Sequence, residues 1–327
     1  MFRIYFTPED IGRVRIAGSP DPLWETVFSV FRLRRPGPAP VFGRWRRHAL
    51  RASRPADLEL LLPLVQGGYY PDFLTPVEGL KGLPTGLEAL LSTPVSRLRT
   101  DMGRLARLGR PTPAWMRSLA EGDRATLERL AAAIRSHHDA VVAPIWPEAM
   151  AAVEADRARR GRVLLEQGAE GLLRGFRPAM RWLPPVLEVD APFEQELRLE
   201  GRGLLLVPAY LSWGSPDLLR DTTLPPVLVY PVEHDLTLQS GPRAADARLT
   251  ALIGQTRTSV LESIGDGRTT SELARRVGVS VASASQHAAV LREARLIHST
   301  RAGRAVLHTL TPLGSALLGA RAEDPFR

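Results

Sequence analysis

Seven histidines and no cysteine bound the chemistry open to this chain of 327 residues. Without a thiol there is neither a disulfide nor a thiolate metal site, which fits a reducing cytoplasm. His137-His138-Asp139 is a run of metal-binding types. On a helix, neighbouring residues point about 100° apart, and the i+4 partners, Val141 and Val142, do not ligate. His234 and Asp235 form a strand-end pair in which successive side chains face opposite ways. His298 and His308 flank an expected hairpin and could approach one another, but no carboxylate joins them. G-x-S-x-G, P-loop and H-E-x-x-H patterns are absent, and Gly201-x-Gly203 lacks the third glycine and the strand–helix context of a dinucleotide site. No catalytic group, cofactor or metal is expected. An enzyme reading would need a convergent polar pocket within residues 1–240.

A second set of polar residues has helical spacing. In residues 269–297, Thr269 and Glu272 make a capping box, each satisfying a first-turn N–H of the other. Leu273, Ala274 and Val277 give that helix one apolar face, and Gly278 can take the left-handed conformation that ends it. Ser280 caps a second helix, in which Val281, Ala284, Ala288 and Leu291 form an expected buried stripe. The opposite face carries Ala282, Ser283, Gln286 and Ala289, small and polar residues that let a helix lie close to base edges. Leu249, Leu252, Ile253, Val260 and Ile264 predict one amphipathic helix before this pair, stopped by Gly265-Asp266-Gly267. After it, HSTRAGRAVLHTLT reads as a hairpin turning at Ala302-Gly303, with Arg301 and Arg304 at its tip, and Pro312 opens a short helix through Leu313, Leu317 and Leu318. The order is that of a winged helix-turn-helix, and an arginine-tipped wing suits phosphates or the minor groove.

Gln255 to Leu318 resembles the ArsR-type (arsenic-repressor-like) bacterial transcription regulators. The residues that carry the likeness are TSELARRVGVS, SVASASQH, VLREARLI and RAGRAVLHTLTPLG. The resemblance implies a homodimer with the first and last helices at its interface, and it leans toward repression. There are departures. Arg295 stands where the family usually has glycine after the recognition helix, so a differently shaped corner is expected; Ala288 replaces a common leucine; and the thiolate metal motif of the founding members is missing. Upstream, APIWPEAMAAVEADRARR, RWLPPVLEV, GRGLLLVPAY and LPPVLVYPVE are similar to a domain found before ArsR-type winged helices, one with no assigned ligand.

The net charge is +8, and from residue 246 onward eleven arginines face seven acidic residues, so half of the excess lies in the last quarter. That is a modest footprint of a DNA-binding module. Arginine, alanine, proline and leucine dominate, with Lys81 the one lysine, a bias that suits a GC-rich genome as much as any function. From Thr26 to Ala56 there are eight arginines and no acid, either a solvated basic face or a seat for phosphates or an acidic ligand. Trp24, Val27, Phe28 and Phe31 recur at helical spacing and read as a core stripe rather than a ligand-lining box. Strands are expected over 2–6, near 14 and 16, and over 186–189, 196–199, 203–207 and 227–230. Residues 75–113 read as loops and short helices, and 121–182 as largely helical, with Arg157, Arg159 and Arg160 outside. No run approaches the ~20 apolar residues of a membrane helix, and MFRIYFTPEDIG has no long apolar signal segment.

The expected fold is therefore α+β: a mixed N-terminal sensor or dimerisation domain over 1–240, a linker near 238–245, and a winged helix-turn-helix over 246–327. The expected function is a cytoplasmic, dimeric, DNA-binding transcription regulator acting as a repressor, with a small-molecule effector of unassigned identity and no membrane partner. Ser283 and Gln286 would meet base edges on double-stranded DNA, Ser285 and His287 the groove wall, Thr270, Ser271 and Ser280 phosphates, and Arg301 and Arg304 the flanking backbone. His287 reads equally as a phosphate contact or a packed histidine at the edge of the helix. The alternative is a structural or protein-interaction role with a vestigial DNA reader.

Overall fold

The computed structural model describes residues 1–234 and 250–319, apart from 36, 67, 109–112, 177, 192–193, 266 and 303–304. The chain is mixed α and β and divides into two compact units, Met1–Asp235 and Leu236–Arg327. The expected linker and Arg304 lie outside the described residues. Among the described residues no helix is long and apolar enough to cross a membrane.

The first unit opens with β1 (Phe2–Tyr5), α1 (Pro8–Ile11), β2 (Arg15–Ile16) and α2 (Pro22–Arg34). Six further helices follow: α3 (Ala39–Ala52), α4 (Pro55–Leu61), α5 (Leu83–Leu91), α6 (Val95–Ala106), α7 (Ala114–Ala120) and α8 (Arg124–His137). After a π turn comes the long α9 (Trp146–Arg174), interrupted at Gly168. Then come β3 (Met180–Leu183), β4 (Val186–Val189), β5 (Gln195–Arg198), β6 (Leu205–Ala209), β7 (Asp217–Leu218) and β8 (Val227–Pro231). The helices of 83–106 are more regular than their glycines and prolines predict, and Met180–Leu183 is a strand, not the end of a helical section.

Two four-stranded sheets result, ordered β3-β4-β1-β5 and β2-β6-β8-β7. Strand β1 runs antiparallel to β4 and parallel to β5. Its Phe2 and Ile4 are fully buried, while Arg3 faces solvent. They join Leu187, Val189, Leu206, Leu228 and Tyr230 in one core. Helix α2 is buried nearly all round, as an internal helix must be. Its acids take backbone donors inside the protein: one oxygen of the capping Asp21 accepts from the N–H groups of Leu23 and Trp24, and Glu25 accepts from those of Tyr210 and Leu211 at 2.5 and 2.8 Å.

One expected exposure is reversed by pairing. Arg160 does not point outward: it bonds Asp156 at 2.8 Å and stacks 3.7 Å from the Phe176 ring centroid. In the arginine-rich segment, Arg34 donates to the Leu62 carbonyl and Arg46 to that of Leu33, so part of that charge holds helices together. His137 is buried, with Nε2 2.9 Å from the Ser29 hydroxyl, and burial pushes its pKa down to about 4.

The second unit contains α10 (Gln255–Ser263), β9 (Arg268–Thr269), α11 (Thr270–Val277), α12 (Val281–Glu293), β10 (Ile297–Ala302), β11 (Ala305–Leu310) and α13 (Pro312–Gly319). The single helix expected before α11 is in fact two, because Gly254 takes φ +85° and separates helical residues 250–253 from α10; Leu252 on the first piece is exposed, and Leu249 lies outside the described residues. The three strands are ordered β10-β11-β9. The core gathers Val260, Leu261, Ile264, Leu273, Ala288, Leu291, Leu296 and Ile297. Helix α13 packs so close to the Leu296 carbonyl that a side chain at Gly314 would collide with it, and Thr311 caps this helix by accepting from the Gly314 N–H at 2.9 Å.

Candidate functional site

The site is built around α11, α12 and the turn between them. The capping box forms: Glu272 accepts from the Thr269 N–H at 2.8 Å, and the Thr269 hydroxyl from the Glu272 N–H at 3.4 Å. The Thr269 donors hold the Glu272 carboxyl below its usual range, so it stays ionised. At the other end Gly278 takes φ +74°, and the Val279 N–H closes on the Ala274 carbonyl at 3.0 Å. The Ser280 hydroxyl then accepts from the Ser283 N–H at 3.1 Å and starts α12. The remaining first-turn N–H groups of α12 carry the positive end of its dipole.

Helix α12 ends in a tight corner. Leu296 N–H reaches the Leu291 carbonyl and Arg295 N–H that of Arg292, both at 2.9 Å, with Arg295 at φ +57°. This is the Schellman hydrogen-bond pattern, with arginine in the place glycine prefers. The corner expected to differ because of Arg295 therefore keeps the left-handed turn, which the two hydrogen bonds and the burial of Leu296 and Ile297 impose.

Ala284, Ala288 and Leu291 are buried as expected, but Val281 is 52% exposed, because the first turn of α12 projects beyond the core. Ser285 and Gln286 are exposed, Ser283 and His287 partly so. Ser283, Gln286 and Ala289 share one face at spacings of three, and Ser285 lies to its side. Ser271, Ser280 and Arg301 are exposed at the ends of their elements.

Thr270 departs from its expected place. Its hydroxyl lies 2.9 Å from His308 Nε2, while the Ser299 hydroxyl lies 2.8 Å from Nδ1. One nitrogen of a neutral imidazole donates and the other accepts, and two hydroxyls complement either tautomer. Burial and the Arg292 charge lower the His308 pKa. His308 therefore binds the start of α11 to both hairpin strands. It does not meet His298, which pairs across from Thr309 and is exposed. The signal for this role was faint: His308 shares the strand phase of Leu310, which packs on the core.

The first unit holds other polar concentrations. Asp72 accepts from the N–H groups of Arg220 and Asp221 at 3.0 and 2.6 Å, and Asp101 from that of Phe73 at 3.1 Å, with Arg104 beside both acids. These groups fasten loops and leave few bonds for a ligand. Among the described residues no group of three metal-ligating side chains converges. No protein-family model, curated protein or solved structure matches the chain.

Proposed function

We propose that the chain is a sequence-specific DNA-binding transcription regulator of the ArsR type, with residues 246–327 as a winged helix-turn-helix and two copies acting as a homodimeric repressor. One observation carries the reading: α12 is capped at both ends and keeps Ser283, Gln286 and Ala289 on one accessible face. A helix so presented fits the major groove, with two copies about 34 Å apart on a pseudo-palindromic operator. Gln286 and Ser283 meet base edges, and Ser285 and His287 line the groove wall. Ser271 and Ser280 bond phosphates at helix N-termini. Arg301 and Arg304 hold the flanking backbone. Thr270 is assigned to the His308 network rather than to phosphate. The N-terminal unit serves as sensor or dimerisation module.

The test is a genome-wide pull-down with the tagged full-length chain. A few sharp sites sharing an inverted repeat support the reading. Uniform background, together with failure to select any sequence from random DNA, ends it in favour of a protein-interaction role.

A further inference from the structure

The first unit also holds a cavity of about 110 Å³ that neither the fold nor the DNA-binding reading uses. Gly168, at φ +68° and ψ −174°, breaks α9 into two arms. Arg159, Arg160 and Val163 line the cavity from the first arm, Leu172 and Gly175 from the end of the second, and Glu233 from the chain that follows β8.

One buried acid sets both arginines. Asp156 accepts from Arg159 Nη2 at 2.6 Å, from Arg160 Nε at 2.8 Å and from the Tyr230 hydroxyl at 2.8 Å. Successive helix residues point apart, yet these two long side chains turn back on an acid one turn before them, so their forks converge. The Phe176 ring, with its centroid 3.7 Å from the guanidinium carbon, fixes Arg160 further. Support of this kind from behind is what holds a binding group ready. Arg159 gives one N–H to Asp156 and one to Glu233, at 2.6 Å each, and Arg160 gives one to Asp156 beside the Tyr230 hydroxyl. Both forks keep further donors. Glu233 is the weak member of the group. Its side chain is 79% exposed and that of Arg159 46%, and an ion pair so open to water exchanges readily.

We propose that Arg159 and Arg160 bind a small tetrahedral oxyanion, phosphate in chemical class, in this cavity, and that Glu233 is the counter-ion it displaces. Size and donor geometry select the class. A water occupies about 30 Å³, so the cavity admits one phosphate group and leaves any carbon chain attached to it outside. A carboxylate is satisfied by a single guanidinium fork; two forks match an ion with oxygens on several sides. Charge agrees, because with Glu233 withdrawn the two arginines outweigh Asp156. This inference concerns the first unit alone and does not rest on the DNA-binding reading.

Titration calorimetry on the full-length chain tests it, with inorganic phosphate as probe and acetate and chloride at equal ionic strength as controls. Phosphate should bind saturably at millimolar concentration, and acetate and chloride weaker by roughly tenfold or more. Glu233→Gln removes the competing carboxylate and should tighten phosphate binding by roughly twofold or more, a change that a merely structural ion pair would not produce. Arg159→Gln should weaken binding by roughly tenfold or more. Both substitutions fall on accessible side chains, and unchanged melting temperatures verify that the variants fold. Glycerol 2-phosphate separates two sources of the same group: binding as tight as that of inorganic phosphate assigns the site to phosphate monoesters, and weaker binding assigns it to the free ion. No saturable heat from phosphate, equal binding of acetate, or parental affinity in Glu233→Gln overturns the proposal. So does parental affinity in Arg159→Gln, which would place the ion elsewhere, such as the helix N-termini of the second unit.

Discussion

The Thr270 hydroxyl lies 2.9 Å from His308 Nε2, so the first residue of α11 is fastened to a strand 38 residues later. The Ser299 hydroxyl holds the other ring nitrogen. The hairpin and the start of the helix pair are therefore joined through one buried histidine, whose charging burial and Arg292 oppose.

That opposition sets a pH response. Burial, then the Arg292 charge, depresses the His308 pKa in the folded chain. The folded state then binds fewer protons than the unfolded state, whose histidine titrates near about 6.5. Stability is complete above that value and falls as pH drops below it. Amide exchange over residues 268–310, corrected for intrinsic rates, should show lower protection at pH 5.5 than at pH 7.5. His308→Gln, which keeps a donor and an acceptor, should remove that difference.

The two left-handed corners around α12 respond oppositely to substitution. Arg295→Gly should stabilise the second unit by about 1 kcal/mol, by relieving a β-carbon at positive φ. Gly278→Ala should destabilise it by about 1 kcal/mol through backbone strain, since nothing lies within 4 Å of the added methyl. Chemical denaturation followed by far-ultraviolet circular dichroism reads both changes.

In the first unit the pH dependence has the other sign. Burial pushes Asp21 up to about 7, and Glu25, one turn along, also to about 7. Carboxyls raised in this way bind more protons folded than unfolded, so the stability they permit at low pH is lost as pH rises from about 4 through 7. His137 opposes this below about 6.5, and comparison of variant with parent cancels its contribution. All six tryptophans lie within the first 213 residues, so their fluorescence reports this unit. Asp21→Asn keeps the capping oxygen and removes a buried charge. Its denaturation midpoint should change less between pH 5.5 and pH 8 than that of the parent.

On DNA, Gln286→Ala should relax the preference at one base pair per half-site, a loss of about 1–3 kcal/mol of discrimination. Arg304→Ala should weaken binding to all sequences alike and reduce the salt slope by about 1. Quantitative binding to a selected operator and its single-base variants, at several salt concentrations, separates the two effects. Parental behaviour by both variants would remove these residues from the interface.

The pieces legible in the sequence are those fixed by residues three or four apart. Thr269 with Glu272, and Ser280, each announce a helix start, because a cap needs one side chain and the N–H two or three positions on, and Gly278 announces an end by the left-handed turn it permits. What was hidden depends on distant partners. Glu25 finds its donors 185 and 186 residues away, and Tyr230 Oη meets Asp156 across 74. Arg160 seemed an outer residue because its helix phase is set aside by the Phe176 ring and the Asp156 carboxylate. His308 looked like one of a histidine pair, whereas strand register turned it toward two hydroxyls. Gly254 was passed over inside a continuous apolar pattern, although its positive φ divides the helix.

The central position of β1, between β4 and β5, bears on how the chain is made. Residues 2–5 leave the ribosome well before their two neighbours, which are not complete until residue 198 has been synthesised. At several residues per second, that segment waits for on the order of ten seconds or more with both backbone edges open and Phe2 and Ile4 uncovered. Nascent chains that pause before β4 emerges thus expose an adhesive strand, and their yield should depend on holdase chaperones more than on the strength of any later contact.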